Sequence, residues 1–225
     1  MSNFILAGLF TEGSTDYRFL ESVVQRTLEN VAFDCTGDID VQLELIKFDK
    51  TGLSFNDQIL EASRIAHKKF SALLIFVHTD SDNIDDKPIF VSKICPAQEI
   101  LSVQDQNFYC KQMVAIVPIK MIESWMIADK NLLKNEIGIE KTDLELGIQL
   151  NPEKISSPKL VIEEIIRISK EDLTKIKRNK GLVISDLYQI IGQKIELSEL
   201  EKLSSYKKFK QSLIDKLKEL NFYHK

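Results

Sequence analysis

This sequence predicts an α/β fold with a mainly parallel sheet and a C-terminal helical extension, and two observations carry the prediction. Over residues 1–130, short apolar β-rich runs alternate with longer runs whose apolar residues recur at i, i+3 and i+4, giving a βαβα series. After about Asp129 the strand signal fades. Helical runs then follow at about 159–170, 184–193 and 205–220, behind breaks at Asn151-Pro152 and Ser157-Pro158. The expected organisation is an α/β domain over 1–130 with residues 131–225 as a helical extension packed on it.

The strand candidates are Phe4 to Phe10, Val41 to Phe48, Ala72 to Val77 and Gln112 to Ile119. The unbroken run Leu73-Leu74-Ile75-Phe76-Val77 suits a parallel strand buried on both faces. Between the first two strands, Phe19, Leu20, Val23, Val24, Leu28 and Val31 form one helical stripe, with Ser14 or Thr15 available to cap its start. Residues 54–70 make a second crossover helix, with Ile59, Leu60, Ile65, Ala66 and Phe70 on its buried side, and residues 96–105 a third.

Composition narrows the function. The 225 residues are 44% hydrophobic and 28% charged, which is enough apolar material for a core and too much for a disordered chain. The start lacks a basic n-region, and no segment approaches the roughly 20 apolar residues of a membrane helix, so the reading is cytoplasmic with no membrane partner. Cys35, Cys95 and Cys110 are odd in number and lack histidines at ligand spacing, which points to free thiols rather than a disulfide framework or a zinc site.

The net charge of −4 hides an asymmetry. Residues 1–130 carry 12 Lys/Arg against 19 Asp/Glu, and residues 131–225 carry 18 against 15. An acidic front half argues against a broad phosphate-binding surface there, whereas clustered carboxylates are what a hard cation such as Mg²⁺ (or Mn²⁺) requires. In the basic half, Lys175, Lys177, Arg178 and Lys180, with Lys207, Lys208 and Lys210, have the charge to track a nucleic-acid backbone, although such residues usually form a solvated helix face. Tyr206 and Phe209 fall at helical spacing and read as core.

Ligands of an open parallel sheet bind at the carboxyl ends of the strands, and three of the four predicted ends carry acids. Glu12 precedes Gly13 at the end of strand one. Asp80 and Asp82 follow strand three at a spacing that, in extended backbone, points both to one side. Glu123 follows strand four in an apolar setting beside the single tryptophan, where a carboxylate must be solvated, paired or metal-bound. His78 ends a buried strand, where a histidine is more often a hydrogen-bonded structural residue than a ligand or base. Lys120 sits on the same rim and has the charge to neutralise a phosphate or to pair with a neighbouring acid.

The residues Glu12-Gly13 after the first strand and Asp80-Ser81-Asp82 after a later one resemble the TOPRIM signature of topoisomerases, primases and OLD-type nucleases. The runs Glu12 to Leu20 and Glu123-Ser124-Trp125-Met126-Ile127-Ala128-Asp129 more narrowly resemble an uncharacterised TOPRIM-like bacterial family linked to phage defence. Asn151-Pro152-Glu153-Lys154, Ser157-Pro158-Lys159 and Ser204-Ser205-Tyr206-Lys207-Lys208-Phe209 resemble its later segments. The resemblance implies a Rossmann-like TOPRIM domain and a Mg²⁺-dependent nuclease acting on DNA or RNA.

In that reading Asp80, Asp82 and Glu123 are metal ligands, Glu12 is a ligand or general base, and Lys120 is an electrostatic helper. The resemblance further implies an effector controlled by an ABC- or OLD-type ATPase partner, and leaves a homodimer open. The chain has no Gly-x-x-x-x-Gly-Lys-Ser/Thr motif, so any ATP hydrolysis must come from another chain. Two other readings stay open: a non-catalytic TOPRIM-like binding subunit, and a receiver-like phosphoacceptor domain. The latter needs an acidic pair at the first strand end, where this chain has Glu12 followed by Gly13.

Overall fold

The computed structural model describes residues 3–171 and 181–222. Lys175, Lys177, Arg178 and Lys180 lie outside the described residues. Four parallel strands, β1 (Asn3–Thr11), β2 (Ile39–Leu45), β3 (Leu74–His78) and β4 (Met113–Ile116), form one sheet in the order β2-β1-β3-β4. The protein is therefore α/β with a Rossmann-like, all-parallel sheet. Each strand falls within about three residues of the span expected from its apolar run.

The connections are helical. They are α1 (Tyr17–Phe33), α2 (Phe55–Phe70), and a longer stretch made of α3 (Lys87–Ile89), a π-helical turn (Phe90–Ile94) and α4 (Cys95–Ser102). Alternation along the strands splits the core in two. Ile5, Ala7, Leu9, Leu74, Phe76, Val114 and Ile116 face α1, while Phe10, Ile75, Val77, Met113, Ala115 and Val117 face α2 and α4. All five residues of β3 are buried, as a strand covered on both faces requires. The chain steps from β1 outward to β2, then returns across β1 to β3. That reversal opens a crevice at the carboxyl ends of β1 and β3, the usual ligand position in such sheets.

Among the described residues the remaining helices are α5 (Glu123–Met126), α6 (Lys130–Ile137), α7 (Pro158–Ser169), α8 (Ile184–Lys194), α9 (Leu197–Leu200) and α10 (Ser204–Glu219), with a 3₁₀ turn at Pro152–Lys154. They share a single apolar core with α1 and the sheet, so α1 and the C-terminal part together cover one sheet face. Trp125, Tyr206 and Phe209 pack edge-on or tilted with ring centroids 5.3–6.2 Å apart, and Phe209 meets Phe76 of β3. Lys208 pairs with the buried Asp86, and Lys210 pairs with Glu201, so two of the tail lysines serve the fold rather than form an open basic track.

Ser54 caps α2 as its residue type favours, accepting from the Asp57 amide at 3.2 Å. The expected Ser14 or Thr15 cap on α1 does not form. The N-cap is Asp16, whose carboxylate turns back to accept from the Gly13 amide at 3.1 Å. The three cysteines are free thiols. No helix among the described residues is long and apolar enough to cross a membrane.

Candidate active site

At the crevice lies a cleft of about 380 Å³ into which five carboxylates open: Glu12 and Asp16 from the end of β1, Asp80 and Asp82 from the end of β3, and Glu123 from the start of α5. The four acids expected from the sequence are thus brought together, and Asp16 joins them. Gly13 matters here through close approach. A Cβ at this position would stand 2.3 Å from Asp16 Oδ2, so any larger residue would push that carboxylate out of its place.

The loops after β3 and β4 are laced to each other. The Ser81 amide donates to the Pro118 carbonyl, the Asp82 amide to the Lys120 carbonyl, and the Lys120 amide to both Ser81 Oγ and the Asn83 carbonyl. Asp82 and Lys120 both take left-handed backbone, with φ of 54° and 66°. Asp82 therefore does not reach the cleft through extended backbone, as its spacing from Asp80 suggested. A bend does the work, at a conformational cost that such sites commonly carry. Asp80 is fixed by the Ile122 amide, which donates to Oδ1 at 2.9 Å. Lys120 ties the loops through its backbone and is not among the residues that line the cleft.

Two other lysines bring charge to the site. Lys159 lines the cleft from α7, and Lys93 donates to both Glu12 oxygens at 3.0 and 3.1 Å. Lys50 holds the main chain at the end of β1, donating to the Thr11 and Glu12 carbonyls at 2.8 and 2.7 Å. From the tail, the Tyr188 hydroxyl donates to Glu123 Oε1. Tyr188 is aimed by the crossing of α8 over α1. One turn further along α8, Gly192 lies so close that a Cβ would come within 2.5 Å of the Phe19 carbonyl oxygen, and Arg26 donates to the Gly192 and Ile195 carbonyls.

The electrostatics are those of crowded acids. Burial, with the charge of Asp80 added, raises the Asp16, Asp82 and Glu123 carboxyls above their ordinary values; a bond from Tyr188 only partly offsets this at Glu123. Glu12 goes the other way. Burial would raise it, but the Thr79 hydroxyl and Lys93, with His78 nearby, outweigh burial and hold it low.

Beneath the acids lies His78, fully buried, with Nδ1 3.5 Å from Asp16 Oδ2 and Nε2 3.3 Å from Asp80 Oδ1. The contacts are long, and they tie His78 to Asp16 and Asp80 as a buried partner of both carboxylates. Burial disfavours its imidazolium, yet Asp80, Asp16 and Glu12 together raise its pKa.

The donor set fits a hard divalent cation in kind: carboxylate oxygens from five acids lining one cleft. Among the described residues no group of three or more His, Cys, Asp or Glu side chains stands close enough to grip an ion as the side chains lie. Glu12 in particular is turned to Lys93 and Thr79. Asp16, Lys93, Lys159 and Tyr188 were missed as site residues in the sequence. Asp16 alone left a signal there, one helical turn beyond Glu12 in the Glu12-Gly13-Ser14-Thr15-Asp16 run. Compared with family models, with curated proteins and with solved structures, the chain matches none of them.

Proposed function

We propose that this protein is a Mg²⁺-dependent (or Mn²⁺-dependent) nuclease of TOPRIM type acting on DNA or RNA. The observation that supports it most is the meeting of five carboxylates from three strand ends over the crevice between β1 and β3, three of them raised by burial and mutual charge. Glu12, Asp80, Asp82 and Glu123 would hold the metal. When bound, the ion would supply Lewis acidity toward a phosphodiester and lower the pKa of an attacking water.

The chain's own groups do the rest. Asp80, anchored by the Ile122 amide and flanked by His78, stays fixed while its neighbours adjust. Glu12, on the exposed side of the cleft, would complete the ligand set, and would act as a base only once Thr79 and Lys93, which hold it low, have let go. Tyr188 orients Glu123, and Lys159 faces the cleft with a charge that favours an anionic backbone. Control by an ATPase on another chain, as an effector of phage defence, belongs to this proposal through the TOPRIM-like resemblance alone.

The engagement of Glu12 by Lys93 and Thr79 favours a second reading, a TOPRIM-like subunit that binds nucleic acid or a partner without cutting it. Cleavage of DNA and RNA oligonucleotides with Mg²⁺ or Mn²⁺ separates the two. The nuclease reading expects activity in the wild type and a loss of about a hundredfold or more in Glu12→Ala and Asp80→Ala. Equal activity in all three proteins would remove the site, and metal-independent binding without cleavage would favour the second reading.

A further inference from the structure

The sequence of the third crossover contains a local conflict. Pro96 has no amide to donate to Ser92, four residues earlier, and its ring crowds that carbonyl, so an unbroken α-helix cannot run through Cys95-Pro96. The chain answers with one wide π turn over Phe90–Ile94, closed by the Cys95 amide donating to the Phe90 carbonyl five residues back. Turns of this kind are rare and concentrate at functional sites. Here the π turn carries Lys93.

From that turn Lys93 Nζ reaches 3.0 and 3.1 Å from the two Glu12 oxygens and 3.3 Å from Thr79 Oγ1, and lies 5.2 Å from the centre of the Phe55 ring at the start of α2. It spans both oxygens of Glu12, which is held low where Asp16, Asp82 and Glu123 are raised. We infer that Lys93 is a positioning residue that serves as Glu12's internal counter-cation, which a divalent metal must displace before Glu12 can turn to it. This rests on the metal-site reading above and deepens it. Glu12 is paired with an ammonium, and metal binding through Glu12 would be an exchange of one cation for another. The exchange is local, because Glu12 keeps its Thr79 partner and nearly half of its side chain is exposed.

Mn²⁺ titration of the metal-freed full chain, read as free ion by electron paramagnetic resonance, tests the idea in wild type, K93M, K93Q, K93R and E12Q. Removing the competing charge should tighten Mn²⁺ binding about fivefold in K93M and K93Q, the order of one unit charge acting near water. K93R should stay close to wild type. In the double variant E12Q/K93M the gain should vanish, because the competition is for Glu12 itself. Unchanged or weaker binding in folded K93M and K93Q, or a gain that persists with E12Q, would overturn the exchange while leaving the metal site standing. Absence of Mn²⁺ binding in wild type would instead remove the metal-site reading, and the exchange with it.

Discussion

Glu123 and Glu153 are buried to nearly the same degree, 4% and 7% exposed, yet the fold treats them in opposite ways. Glu153, on the 3₁₀ turn, receives four hydrogen bonds at 2.7–3.0 Å from the amides and hydroxyls of Ser204 and Ser205, where α10 begins. A carboxylate at a helix N-terminus with every lone pair answered is a favourable arrangement. Burial would raise Glu153, but those four donors outweigh it and hold the group low. Glu123 has the Tyr188 hydroxyl as its side-chain partner and Asp80 as an unfavourable neighbour, and it is raised. Satisfaction rather than burial separates an acid held low by its donors from an acid left raised.

The largest effect should come from the satisfied acid. Glu153→Ala strips four donors of their partner and removes the external cap of α10, at about 3 kcal/mol in urea unfolding or near 10 °C in Tm. Any cleavage per folded molecule should be unchanged. The pH signature follows from the lowered group: its stabilisation is present above about 4.5, the unfolded value, and is lost as pH falls through its lower folded value. A loss as small as that of an exposed glutamate would show that the contrast with Glu123 has no energetic content.

That network also shows what the sequence made legible. The runs around Glu123-Ser124-Trp125, Asn151-Pro152-Glu153 and Ser204-Ser205-Tyr206 stood out separately, but nothing in their spacing says that they meet. In the fold Trp125 Nε1 donates to Ser205 Oγ at 2.8 Å, and Ser205 in turn donates to Glu153, so the three segments form one chain of hydrogen bonds. The strands were readable because continuous apolar runs as short as Leu73 to Val77 suit a strand buried on both faces. The acids after β1, β3 and β4 were readable because parallel topology collects strand ends on one edge. Lys93, Lys159 and Tyr188 were not. Each lies on a helix that reaches the cleft only through tertiary packing: the π turn forced by Pro96, the docking of α7, and the crossing of α8 at Gly192. Lys120 is the converse case: it neighbours Glu123 in sequence, yet its left-handed backbone ties two loops together and it is not among the residues that line the cleft.

A middle-sized effect should come from giving the unsatisfied acids a ligand. Mg²⁺ at about ten times its Kd should stabilise the wild type by about 1.4 kcal/mol, a rise of roughly 3–5 °C in Tm, and should leave Glu123→Gln or Asp80→Asn nearly unmoved. In EDTA the order reverses. Glu123 is raised in the folded state, so its contribution is full below about 4.5 and is lost as pH rises through its folded value. Glu123→Gln should therefore be more stable than wild type at pH 8 and lose that advantage toward pH 4. Melting curves at the two pH values, with and without Mg²⁺, test both signs. Equal Mg²⁺ shifts in wild type and both variants would place any bound ion elsewhere.

The smallest effect should come from making Glu123 still less like Glu153. Tyr188→Phe keeps the ring in the core and removes the hydroxyl that lowers the Glu123 carboxyl, leaving burial and Asp80 to raise it further. The loss of one such bond costs about 1 kcal/mol, greatest at high pH where Glu123 is charged and shrinking as it protonates. A proton then competes harder with a cation for that carboxylate, so the deficit in Mn²⁺ affinity against wild type should be larger at pH 6 than at pH 8. A deficit of equal size at both values would mean that Tyr188 acts by packing alone. In that case the contrast between the two glutamates would be set by Asp80 and burial, without help from the helical tail.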